Sequence, residues 1–271
     1  QPVQAAWLYA VSDGNLADLQ RLEAQGWIHL VDKEVMRDPL EAAQAGISQP
    51  KTLTAQQQAV WQPLQAALRG AAQEGRTPPP FVLHGVTGSG KTEVYLYAVA
   101  ECLRLGRQAI VMVPEIALTP QTVQRFLSRF PQQVGILHSR LSVGERYDTW
   151  RRARAGQLSV IVGPRSALFA PLPDVGLIVV DECHEDSYYQ AESPPYYHTV
   201  EAAQFYAQAA RAVVVLGSAT PDVAMMYQAQ KSGWPVLALT ERIHDQEDAA
   251  APLSLPPVDI VDMRSELKRG N

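Results

Sequence analysis

Eight consecutive residues, Gly85 to Thr92 in "GVTGSGKT", follow the pattern G-x-x-x-x-G-K-T. Gly85, Gly88 and Gly90 let the backbone turn its N–H groups inward, around Ser89, into an anion-binding nest. Lys91 can then reach the β and γ oxygens of ATP, and the Thr92 hydroxyl can ligate Mg²⁺. About 90 residues later, "LIVVDECH" ends an apolar run on Asp181 and Glu182. An acid at such a strand end suits the magnesium, and its neighbour is placed to orient or activate an attacking water. The chemistry is that of a nucleoside-triphosphate-binding site. A Ras-type GTPase would need an N-K-x-D guanine reader, and the only asparagines, Asn15 and Asn271, exclude it.

This chemistry needs a strand before the glycine loop and a helix directly after it. "FVLHG" supplies the strand and "TEVYLYAVAECLRLG" the helix, with Val94, Ala98 and Cys102 on one stripe, Tyr95, Val99 and Leu103 beside it, and Gly106 at its end. The runs "AIVMVP", "SVIVG", "LIVVDE" and "AVVVLGSAT" are apolar throughout rather than alternating, as parallel strands buried on both faces must be. The expected fold is a three-layer α/β domain with a mainly parallel central sheet.

Upstream, Leu16, Leu19 and Leu22 share a helical face after an Asn15 cap, with Gly26 at the stop. "WIHLVDKEVMR" reads as two short strands around a charged turn, and helix plus wing suggest part of a winged-helix module. "DPLEAAQAGISQPK" and the acidic "DQEDAAAPLSLPP" read as linkers, and "VDIVDM" as the first strand of a further lobe. The expected organisation is 1–49 partial winged helix and linker, 50–245 nucleotide-binding domain, and 246–271 linker and start of the next lobe.

A net charge of −5 argues against a strongly basic nucleic-acid binder, so strand contacts would use local patches. Arg151, Arg152 and Arg154 form one such run, either a phosphate contact or a solvated helix face. Two cysteines, Cys102 and Cys183, are too few for a disulfide framework or a tetrahedral zinc site, and read as reduced thiols of a cytoplasmic protein. No apolar run approaches the ~20 residues of a membrane span, so no membrane partner is expected. A start at Gln1 and a stop in mid-pattern at "ELKRGN" read as a piece of a longer protein.

"GVTGSGKTEVY", "VPEIALTPQ", "GILHSRLS", "GPRSALFAPLPDVGLIVVDECH" and "LGSATP" occur in that order between Leu53 and Arg242. Together they resemble the PriA-type replication-restart DNA helicases of superfamily 2. The resemblance implies a RecA-like helicase lobe 1 of a 3′–5′ DNA helicase that recognises forks and restarts replication. It implies ATP and Mg²⁺ as ligands, and forked and single-stranded DNA with primosome or single-strand-binding proteins as partners. The family's zinc site and arginine finger lie in a second lobe outside this chain, so little turnover is expected of this chain alone.

In the same resemblance Gln57 would read the adenine edge, or else be an exposed helix glutamine. Thr119 would cap a helix facing a DNA phosphate, and Arg165 would bind the strand or form a structural ion pair. Ser218 and Thr220 would link the nucleotide site, through His184, to DNA-bound surfaces. Tyr188, Tyr189, Tyr196 and Tyr197 fall in an aromatic-rich loop that couples DNA binding to hydrolysis. Three basic positions of that loop are here Tyr189, Tyr196 and Val200. Two readings stay open: a working motor lobe, or a quiet fork-binding scaffold whose coupling has been lost.

Overall fold

The computed structural model describes residues 3, 5–31, 37–40, 46–192 and 194–243. They divide into two compact units, Gln1–Arg37 and Asp38–Asn271. In the first, α1 (Ala5–Ser12) precedes α2 (Leu16–Ala24). Asn15 caps α2 as expected, in a capping box with Asp18, and Gly26 takes a left-handed conformation just past its end. Of the three leucines on its expected face only Leu19 is buried. The expected wing is not formed by Trp27–Val31: these residues are in no strand, and the Leu30 amide donates to the Glu23 carboxylate instead of to a partner strand. Its charged turn, 32–36, the second linker and the "VDIVDM" strand lie outside the described residues.

The second unit begins with α3 (Ala55–Glu74), then β1 (Phe81–Gly85), α4 (Lys91–Arg104) and β2 (Gln108–Met112). α5 (Pro120–Arg129), β3 (Val134–Ile136), α6 (Val143–Arg154), β4 (Val160–Gly163) and β5 (Val175–Val180) follow. A short hairpin of β6 (Tyr189–Gln190) and β7 (Tyr197–His198) leads into α7 (Thr199–Ala210), β8 (Val213–Ser218), α8 (Val223–Ser232) and β9 (Val236–Leu239). Seven strands form one parallel sheet in the order β3-β4-β2-β5-β8-β1-β9.

Both faces of this sheet are covered, which is why its strands are apolar throughout. Ala109, Val111, Leu177, Val179, Val213 and Val215 belong to one core cluster, with Val60, Leu64, Val94 and Val99 of α3 and α4. The alternate residues Ile110, Met112, Ile178, Val180, Val214 and Leu216 belong to a second, with Ala203 and Ala207 of α7. Period-two alternation splits each strand between two helical layers. The described part of the stretch read as the first linker is tied to this unit: the Ser48 amide donates to Ser128, Arg129 to the Gln49 carbonyl and the Tyr97 hydroxyl to the Lys51 carbonyl. Proline and polar residues there break regular structure without freeing the chain.

Candidate nucleotide site and nucleic-acid face

The glycine loop leaves β1 and enters α4 at the carboxyl edge of the sheet, where open parallel sheets bind ligands. Gly88 and Gly90 take φ of 82° and 80°, the left-handed region that glycine occupies without strain. A Cβ at Gly90 would also overlap the Gln57 side chain. Gly90 caps α4 without a side-chain hydrogen bond, so no capping side chain competes with an anion for the Lys91 and Thr92 amides, while the Glu93 amide donates to the Gly90 carbonyl. The Ser89 hydroxyl is buried and has no hydrogen-bond partner among the described residues. Lys91, itself buried, donates to the Gly85 carbonyl at 2.9 Å and lies 3.4 Å from Glu182. An orphaned hydroxyl, open amides and a buried ammonium in one cradle fit a phosphate chain. With Thr92, Asp181 and Glu182 they line a cleft of about 710 Å³.

β5 delivers Asp181 to the same cleft, between the ends of β2 and β8. Its carboxylate accepts a 2.8 Å hydrogen bond from the Tyr95 hydroxyl, while burial pushes its pKa above the ordinary carboxylate value. Glu182 sits at a φ of 45°, uncommon for a residue with a side chain and found at sites where geometry is tightly constrained. Its two carboxylate oxygens face Lys91 and, at 3.7 Å, His184. His184 Nδ1 is 2.8 Å from the Ser218 hydroxyl, which in turn accepts from the Thr220 amide at 2.9 Å. Lys91, Glu182, His184, Ser218 and Thr220 are thus one connected polar chain.

Tyr95 escaped the sequence reading, because its stripe on the helix looked like ordinary core. Its ring is buried and its hydroxyl reaches across to Asp181 only because Gly217 leaves room: a Cβ there would overlap that hydroxyl and lie 3.4 Å from the Asp181 carboxylate. Gly217→Ala is therefore expected to cost about 1–3 kcal/mol through overpacking. A lower melting temperature together with weaker Mg²⁺ dependence of ADP binding would be observed, and unchanged values of both would refute this packing.

Gln57, expected at the adenine edge, lines the nucleotide cleft and is tied to the glycine loop. Its side-chain carbonyl accepts from the Thr54 amide at 3.0 Å, and its NH₂ donates to Ser89 and Gly90 carbonyls at 3.4 and 3.2 Å. Buried in this way, it braces the glycine loop and is not the exposed helix glutamine of the alternative. Gln56, next to it, is half-buried and holds Thr240 and Glu241.

The expected strand-contact residues separate into three kinds. Thr119 caps α5 through the Thr122 amide, with Pro120 at the first helical position, as expected. Arg165 makes no ion pair among the described residues: its guanidinium donates to the Ser187 and Tyr189 carbonyls and so clamps the aromatic loop. Tyr189 and Tyr196 are exposed, whereas Tyr197 is half-buried with its ring edge-on to Phe169. Two residues of this stretch lie inside the domain. Tyr188 is fully buried and cannot touch a strand; its hydroxyl donates to the Asp181 carbonyl at 2.7 Å. Val200 is a core residue on the α7 side of the sheet, so no arginine could sense DNA from that position without entering the core. Among the basic run, Arg152 is engaged by Asp38 at 2.6 Å and Arg151 lies over the Tyr147 ring.

Comparison with known proteins fits this geometry. The sequence profile of DEAD/DEAH box helicases matches residues 54–227. The chain is 41% identical over 269 residues to the replication restart protein PriA of Bacillus subtilis, covering 99% of this chain and 32% of that protein. It is 41% identical over 261 residues to its namesake in Synechocystis, covering 93% of this chain and 29% of that protein. The chain thus spans about a third of the length of these relatives. In structure it is similar to the Hef helicase domain of Pyrococcus furiosus, with a TM-score of 0.50 at 22% identity over 70% of this chain and 38% of that one. That likeness bears on the fold, a RecA-like domain.

Proposed function

Because this chain belongs to the DEAD/DEAH box helicase family, we propose that it is the ATP-binding lobe of a replication-restart DNA helicase, whose hydrolysis is coupled to a bound DNA strand. On this reading residues 50–245 form helicase lobe 1, preceded by part of a winged helix and followed by the start of lobe 2. Gly85 to Thr92 hold the nucleotide phosphates. Thr92 and Asp181 would hold Mg²⁺, which supplies charge neutralisation on the phosphates. Glu182, kept in place by Lys91 and His184, takes the proton of the attacking water. Forks and primosome proteins are the partners that the similarity to PriA suggests.

The observation that carries the reading is the double link of Asp181: its carboxylate to Tyr95 within the nucleotide site, and its carbonyl to Tyr188 at the base of the aromatic loop. Arg165 clamps the loop on either side of that tyrosine. A strand that draws on Arg165 or the exposed Tyr189 and Tyr196 would act on the backbone of a metal-facing acid through one buried ring. This link favours the working motor over the quiet scaffold.

The test is ADP binding to the 271-residue chain in Mg²⁺, with and without a single-stranded oligonucleotide. Coupled sites change each other's affinity reciprocally, typically by about fivefold or more. That change should appear in the wild type and shrink in Tyr188→Phe, which keeps the ring and loses the hydrogen bond. Absence of ADP binding would refute the motor lobe, and an ADP affinity indifferent to DNA would refute the coupling.

A further inference from the structure

The nucleotide cleft extends past the glycine loop, beyond the groups that suit phosphates. Its far end lies between the segment at residues 48–52 and α5, walled by Ser48, Lys51, Thr52, Arg125, Ser128 and Arg129. Hydrogen bonds fix these walls to each other. The Ser48 amide donates to the Ser128 carbonyl, Arg129 to the Gln49 carbonyl, and the Tyr97 hydroxyl of α4 to the Lys51 carbonyl. Thr54 and Gln57, hydrogen-bonded to each other, stand between the two ends, and Gln57 also holds the glycine loop. A nucleotide with its phosphates on that loop has this far end of the same cleft for its ribose and base.

The side chains there leave few ways to hold a flat ring. No aromatic side chain lines the cleft among the described residues. The ring that touches its far wall, Tyr97, is already taken: the Arg129 guanidinium lies over it at 5.4 Å, and Trp61 meets it edge-on. Arg129 is used up as well, paired with Glu93 at 3.2 Å and its side chain nearly enclosed. Arg125 differs from it. One helical turn earlier, and so on the same face of α5, it is exposed, and its guanidinium has no hydrogen bond or ion pair among the described residues. A guanidinium is planar, delocalised and weakly hydrated, and so can stack on the face of a π-system.

We propose that Arg125 is the base-stacking residue of the nucleotide site, its guanidinium plane against the face of the base and residues 48–52 along the edge. The inference rests on the reading of the cleft as a nucleotide site and adds a residue outside the motifs found in the sequence. Every base has a π-face, so such a stack adds affinity without choosing among bases. Choice of adenine stays with hydrogen-bonding groups such as Gln57. The competing use of a free guanidinium is an ion pair with the phosphates. Against it stands the place of Arg125 on α5, at the opposite end of the cleft from Lys91 and Thr92.

The experiment measures binding of MgADP and of magnesium pyrophosphate to the 271-residue chain and to its Arg125→Ala variant. Calorimetry reports ADP directly, and pyrophosphate is measured by its displacement of bound ADP. Pyrophosphate carries phosphates and no base, so it isolates the loop. Arg125→Ala is expected to bind ADP about 3- to 30-fold more weakly, the range of a cation–π contact from exposed to desolvated. Its pyrophosphate affinity and melting temperature should match the wild type, since an exposed side chain without partners leaves nothing unpaired when removed. Arg125→Lys keeps the charge and loses the plane, and should follow alanine rather than arginine. Unchanged ADP affinity in Arg125→Ala overturns the proposal and leaves the nucleotide site standing. So do full rescue by lysine and an equal loss for ADP and pyrophosphate, which would put the guanidinium on the phosphates. Wild-type protein that binds no ADP, or ADP that pyrophosphate cannot displace, overturns the phosphate-loop reading and the base contact with it.

Discussion

Lys91→Ala should weaken ADP binding in Mg²⁺ by about 10- to 100-fold while barely moving the melting temperature. A hydrogen bond to a charged group contributes about 1.5–3 kcal/mol, and 1.4 kcal/mol is a factor of ten in affinity. The Lys91 ammonium is the buried cation of the loop, held by the Gly85 carbonyl and 3.4 Å from Glu182. Stability should change little, because two effects oppose each other. Removing Lys91 relieves the desolvation of a buried cation, while Gly85 loses a donor and Glu182, which keeps contact with solvent, loses a neighbour. Titration calorimetry on wild type and variant measures the first quantity and a thermal melt the second. Equal ADP affinities would mean that the phosphates are bound elsewhere; a collapsed melt would mean that Lys91 is structural.

Val200→Arg is the substitution that the resemblance drawn from the sequence motifs invites, which implies a basic residue at this position. It should unfold the domain rather than restore DNA sensing. Val200 is 6% exposed and packs in the core cluster between the sheet and α7. Thr199 beside it is fully buried and donates to the Tyr188 carbonyl at 2.7 Å, so the start of α7 cannot move out without disturbing the aromatic loop. An unpaired buried charge costs several kcal/mol, of order 3–5. At about 2–4 °C per kcal/mol for a domain of this size, the melting temperature should fall by about 6–20 °C. Tyr196→Arg is the contrasting case. At 63% exposure its side chain can change with an effect on stability within about 0.5 kcal/mol. It should steepen the salt dependence of single-strand binding by about 0.7 for one added phosphate contact. If Val200→Arg melts with the wild type, the packing of α7 on the sheet is wrong.

These two substitutions lie four residues apart in the chain and differ only in which way the fold turns each position. The row of tyrosines and prolines around them has no hydrophobic period that could sort inward rings from outward ones. Tyr188 and Tyr189 are adjacent and chemically identical, yet one is sealed against Asp181 and the other is open to solvent. Burial here is decided by the 3-10 turn at Asp186–Tyr188 together with the clamp from Arg165, 24 residues away from Tyr189.

What the sequence determined by itself was everything whose chemistry is local. A phosphate loop works through consecutive amides and the helix that follows, so Gly85 to Thr92 had to be contiguous and were legible. Strands buried on both faces must be apolar at every position, so the three-layer α/β fold and the delivery of Asp181 and Glu182 by one of those strands were legible too. Tertiary structure decided what depends on strand order. Placing β5 beside β8 is what brings Gly217 and Ser218 to Asp181 and His184, and lets Tyr95 of α4 reach the acid over the missing Cβ. Docking α3 over the loop buried Gln57 against it as a brace. Tying residues 48–51 to α4 and α5 closed the far end of the nucleotide cleft around Arg125, which belongs to no motif. A pattern in sequence records a residue's neighbours along the chain, whereas these functions belong to neighbours across the sheet, which only packing both faces at once selects.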